Sequence, residues 1–127
     1  MRPRLMVQAV RELQEAGVEP DVWKIEGLDN RADCEKMVEV ARRDNRNNVG
    51  LIVLGRGASR DRVVHWLQTA ASVPGFIGFA VGRTSFWDAV VAFEKKQLTM
   101  DKAAEQIAKN FEEWSQVFEE GKKGVKR

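Results

Sequence analysis

The chain has 127 residues, 43% of them apolar and 31% charged, with 21 basic against 19 acidic side chains. That length suits one domain with its own core, and the near balance of charge argues against disorder and against a nucleic-acid partner. The single Cys34 rules out an intramolecular disulfide, no Cys/His cluster points to a metal, and no apolar run reaches the ~20 residues of a membrane span.

The start MRPRLMVQAVRELQ is too interrupted by charge for a signal peptide, so a reducing cytoplasm is expected. Leu5, Ala9, Leu13 and Ala16 recur every three to four residues before Gly17, which predicts an amphipathic helix over 4–16 with that stripe as its buried face. DVWKIEG after Pro20 reads as a short strand. Asp29 or Asn30 then caps a helix whose stripe is Cys34, Met37, Val38 and Ala41. VGLIVLGRG, residues 49–57, is apolar on both faces, as in a strand covered on both sides.

Ser59 or Asp61 caps the next helix, with Val63, Trp66, Leu67, Ala70 and Ala71 on one face. Pro74-Gly75 then breaks the chain before the third strand, FIGFAVGR. Two helices follow, one carrying Phe86, Trp87, Val90, Val91 and Phe93, the other starting near Thr99 with Ala104, Ile107, Ala108, Phe111, Trp114 and Phe118 as its stripe. Residues 121–127, GKKGVKR, read as a basic frayed tail behind a domain of residues 1–120. Helices alternating with strands predict an α/β fold with a parallel sheet. In the third strand, Phe76, Gly78, Ala80 and Gly82 form a mostly small face and Ile77, Phe79 and Val81 a bulky one, a pattern suited to a tight barrel.

In DVWKIEG a period of two puts Lys24 and Glu26 on one face and Trp23 and Ile25 on the other. Such a face is either a solvated edge or an interior in which a desolvated lysine attacks a carbonyl and a carboxylate assists proton transfer. LGRGAS offers Gly55, Arg56, Gly57 and Ala58 at the start of a helix, where backbone amides and an arginine attract phosphate. A single loop of this kind is ordinarily a turn that uses glycine for its conformation. A second Gly-Arg pair, Gly82-Arg83, after the neighbouring strand shifts the balance toward a phosphate site. His65 sits at a helix margin without a partner at catalytic spacing, Cys34 reads as a small core group, and the Phe111/Trp114/Phe118 stripe as core or interface.

DVWKIEG, LGRGAS and GFAVGRTSFWDAV together resemble the C-terminal part of the class I aldolase superfamily. The similarity is to the aldolase-like domain fused to 5-dehydro-2-deoxygluconokinases of inositol breakdown and, more distantly, to tagatose-bisphosphate aldolases, and it runs over nearly the whole chain. It implies a partial (β/α)8 TIM barrel whose three strands are the sixth to eighth. It also implies that Lys24 is the Schiff-base lysine, that Gly55, Arg56, Gly57 and Ala58 form a first phosphate loop, and that Gly82 and Arg83 form a second. Glu26 joins them through the face it shares with Lys24.

The implied reaction is retro-aldol cleavage of a phosphorylated ketose or keto acid, such as 5-dehydro-2-deoxyphosphogluconate, with no metal or organic cofactor. A complete barrel takes ~250 residues. The resemblance therefore also implies a chain or domain that supplies the N-terminal strands, or a homo-oligomer. A non-catalytic sugar-phosphate-binding or regulatory domain, or an inactive barrel fragment, are the other readings.

Overall fold

The structure, a computed structural model, describes residues 2–123. Five helices and three strands alternate as α1 (Arg2–Glu15), β1 (Val22–Glu26), α2 (Arg31–Ala41), β2 (Gly50–Leu54), α3 (Arg60–Ala71), β3 (Phe76–Ala80), α4 (Arg83–Glu94) and α5 (Met100–Lys122). The strands form one parallel sheet in the order β1-β2-β3. Consecutive parallel neighbours joined through helices are what the α/β alternation predicts.

Local chemistry sets the helix starts. Asn30 accepts from the Asp33 amide at 3.0 Å, Ser59 from Arg62 at 3.4 Å and Thr99 from Lys102 at 3.2 Å, each satisfying an amide that has no partner inside its helix. The core lies on one face of the sheet. Ile25, Leu51, Val53 and Phe76 point into it from the strands, and Cys34, Met37, Val63, Leu67, Ala70 and Ala71 meet them from α2 and α3. Burial pushes the Cys34 thiol up to about 12, with Asp33 adding to the effect, so the cysteine is a core group and not a nucleophile.

Side chains alternating to the other face stay open. Val22 is 40% and Ile77 58% exposed, Lys24 is exposed, and Ile52 and Leu54 are half-buried. An irregularity in β3 changes the face assignment that a strict period of two predicts. Leu51 pairs with Phe76 but Ile52 pairs with Gly78, so Ile77 is an extra residue. Phe76 therefore joins Phe79 and Val81 on the packed side, while Ile77 joins Gly78 and Ala80 on the open one.

Three helical stripes also differ from expectation. In α1 the residues turned inward are Val10 and Gln14, with Met6 and Val7 beside them, while Leu5 and Leu13 are 55% and 43% exposed. Buried Gln14 is satisfied by donating to the Val40 carbonyl at 3.0 Å and accepting from Arg43 Nε at 2.6 Å, which ties α1 to the end of α2. In α4 only Ser85 and Ala89 are buried, and Phe86, Trp87, Val90 and Phe93 face outward. In α5 Trp114 and Phe118 of the expected stripe are buried, but Ala103 is buried where Ala104 and Ala108 were expected, and Phe111 is 54% exposed with its ring 5.6 Å from that of Phe79.

The helix α5 also runs on through Gly121 and Lys122, which the composition assigns to the tail; residues 124–127 lie outside the described residues. Gly121 is needed there, because a Cβ would stand 2.7 Å from the Ala71 Cβ where α5 crosses α3.

Candidate functional site

The loops after β2 and β3 both open at the carboxyl ends of their strands, where a parallel sheet presents its ligand crevice. Arg56 (φ +53°) and Gly57 (φ +68°) are consecutive left-handed residues, and the turn is closed by the Ala58 amide donating to the Gly55 carbonyl at 2.9 Å. A non-glycine residue there costs about 1–2 kcal/mol, and Arg56 is held in place by an ion pair with Glu26 at the end of β1.

The second loop folds onto the first. Thr84 Oγ1 donates to the Ala58 carbonyl at 2.7 Å, which fixes the spacing of the two strand ends. The Arg83 guanidinium lies across Gly57, where a Cβ would come within 3.0 Å of Arg83 Cζ. Glycine at 57 thus serves both the backbone conformation and the approach of that cation. Behind the loop, Ser85 Oγ donates to the Val81 carbonyl at 2.7 Å and accepts from Trp114 Nε1 at 2.8 Å, while Asn110 donates to the Ser85 carbonyl at 2.8 Å. The start of α4 is therefore anchored to α5 by a buried network.

The arginines of this rim differ in their engagements. Arg56 is paired with Glu26, Arg60 with Glu113, and Arg62 with Asp29 while also covering the Trp66 ring at 5.2 Å. Arg83 has no carboxylate partner among the described residues. It lines a cleft of about 740 Å³ together with Gly57, Ala58, Ser59, Thr84 and Trp87. The uncommitted cation, the left-handed loop and the starts of α3 and α4 meet there, and such a setting attracts an oxyanion.

The residues singled out in sequence are only partly brought together. Gly57, Ala58 and Arg83 share the cleft. Gly55 is buried beneath it with a Cβ position 3.0 Å from Val81, and exposed Gly82 precedes α4 as its N-cap. Arg56, expected to clamp the anion beside Arg83, is turned to Glu26 instead. Lys24 and Glu26 do share a strand face, yet they border a different hollow, the apolar groove between α1 and β1 lined by Leu5, Leu13 and Trp23. Lys24 is exposed, so this chain by itself does not desolvate it.

His65 contacts the Asp29 carbonyl at 2.8 Å on the surface and takes no part in the cleft. The residues that sequence reasoning missed are Thr84, which joins the loops, and Trp87, which walls the cleft. The run Arg-Thr-Ser-Phe-Trp after a strand end carries both, but in the periodic pattern Trp87 counts only as one of α4's apolar residues. No group of acidic, histidine or cysteine side chains that could hold a metal is present among the described residues, and no helix there is long and apolar enough to cross a membrane.

Residues 1–122 match the model of a family described as "Uncharacterized protein conserved in bacteria (DUF2090)". No curated protein and no solved structure matches the chain.

Proposed function

The chain belongs to the bacterial DUF2090 family, and we propose that it is the phosphate-holding and lysine-bearing segment of a class I aldolase-like site acting on a phosphorylated ketose or keto acid. The observation that carries this reading is Arg83, a cation without a carboxylate partner among the described residues, lying across Gly57 in a cleft between two strand-end loops. The Thr84 bond to Ala58 supports it by holding those loops at one spacing before a ligand arrives.

In the reaction that the resemblance implies, the Lys24 amine adds to the substrate ketone and water leaves as the iminium forms. The C–C bond then breaks with its electron pair drawn into the iminium, releasing an aldehyde and leaving an enamine on the lysine. Glu26, on the same strand face, is the carboxylate placed to carry protons, and Arg83 anchors the phosphate. No metal or organic cofactor takes part.

The three strands stand for the last three of a (β/α)8 barrel in this reading. Its partner is a chain, domain or second copy that continues the sheet and covers the open face, so that Lys24 is desolvated. A cytoplasmic setting accords with a free, buried Cys34. A second reading, binding of a sugar phosphate without covalent chemistry, is favoured by the exposure of Lys24 and its place outside the Arg83 cleft.

Borohydride reduction in the presence of fructose 6-phosphate, a ketose monophosphate, separates the two. A covalent adduct mapped to Lys24 and abolished in Lys24→Ala is expected for the aldolase reading. Saturable binding with no adduct selects the binding reading, and full aldolase activity in Lys24→Ala overturns the mechanism.

A further inference from the structure

We infer that Trp87 is the stacking wall of the Arg83 cleft, and that the cleft takes a hexose monophosphate in its ring form. The inference rests on Arg83 as the phosphate cation and is independent of Lys24.

The chain's four tryptophans differ in use. Trp114 is 1% exposed and Trp66 8% exposed, and both indole N–H groups are hydrogen-bonded, to Ser85 and Asp29 respectively. Trp23 packs against the core. Trp87 is 55% exposed and faces the cleft. An indole offers a large apolar surface with little conformational freedom to lose, so an exposed one beside an uncommitted cation is suited to ligand contact.

Of the exposed apolar side chains on α4, Trp87 lines the cleft and Phe86, Val90 and Phe93 do not. Phe86, Val90 and Phe93 follow one another at i, i+4 and i+7 on one side of the helix. Trp87 stands i+4 from Arg83, about 6 Å further along the axis, and the two side chains line the same cleft. An ester whose phosphate is held at Arg83 therefore has the indole as a wall of the cleft it occupies.

The rest of the lining points to hydroxyl groups. Asp88 has no ion pair among the described residues, and Gln106 of α5, which donates to Asn110 Oδ1 at 3.0 Å, lines the same cleft. A carboxylate there disfavours a second phosphate but accepts hydrogen bonds from sugar hydroxyls. One anion end, one aromatic wall and one hydroxyl-accepting end describe a phosphorylated pyranose, whose C–H face lies on the indole.

The test titrates the full chain with glucose 6-phosphate, glucose and inorganic phosphate, following tryptophan emission and heat. The expected result is a saturable emission change with glucose 6-phosphate that disappears in Trp87→Phe, and an affinity about tenfold lower in Trp87→Ala. Inorganic phosphate is expected to compete and to bind wild type and Trp87→Ala alike. Unchanged glucose 6-phosphate affinity in Trp87→Ala, or inorganic phosphate binding wild type as tightly as glucose 6-phosphate, overturns the inference. If Arg83→Ala abolishes binding of both phosphates while Trp87→Ala changes neither, Arg83 keeps its role and Trp87 is not a stacking wall. If neither phosphate binds wild type, both fall together.

Discussion

Helix α3, in the middle of the chain, turns Val63, Trp66, Leu67, Ala70 and Ala71 into the core, whereas α4 buries only Ser85 and Ala89 and turns Phe86, Trp87, Val90 and Phe93 outward. The same contrast holds between α2 and α1, whose Leu5 and Leu13 are exposed beside the free edge of β1. The middle helices have a helix on each side and the sheet beneath, whereas α1 packs chiefly on α2 and α4 on α5. Apolar stripes beside open strand edges are surfaces disposed to associate. The packed core and the uncovered apolar surface thus lie in different parts of one short chain.

The largest expected effect lies in the middle. Leu67→Ala, at a fully buried position, should cost about 2–5 kcal/mol in urea denaturation. Leu13→Ala, at the edge, should change stability by no more than about 0.5 kcal/mol. Equal losses at the two sites would break the comparison.

The next effect is a pH dependence. Because burial raises the Cys34 thiol from 9.0 to about 12 in the folded protein, the fold favours the protonated form. Its contribution is intact below pH 9 and declines as pH rises from there toward 12, by at most about 1.4 kcal/mol per pH unit. Cys34→Ala should flatten that part of the stability profile, and iodoacetamide should label the native protein at neutral pH only after denaturant is added.

A smaller effect concerns Trp23, whose indole nitrogen is buried without a hydrogen-bond partner among the described residues. Trp23→Phe keeps a ring and deletes the donor, and should raise stability by about 1 kcal/mol. A clear loss of stability would show that the ring volume lost outweighs the cost of the unpaired donor.

Much of this arrangement was readable in the residues. The α/β order followed from the spacing of breakers and caps, and the α3 stripe matched the buried set because that helix has one apolar side. For α1 and α4 periodicity shows that an apolar face exists, not that a neighbour covers it. Ile77 could not be placed, since a bulge is a property of two paired strands.

In the site, Gly57 and Arg83 were marked by two Gly-Arg strand ends, and the structure puts them in contact. The pairing of Arg56 with Glu26 was not readable, because it joins residues 30 positions apart across a sheet edge. That pairing leaves Arg83 as the rim cation without a carboxylate partner among the described residues.

Calorimetric titration with glucose 6-phosphate at low ionic strength, comparing wild type, Arg83→Ala and Arg62→Ala, bears most directly on that cation. Saturable binding that falls at least about tenfold in Arg83→Ala and is unchanged in Arg62→Ala, whose arginine is already paired with Asp29, is the predicted result. Equal affinity in wild type and Arg83→Ala, or an equal loss in both variants, would contradict a phosphate site at Arg83.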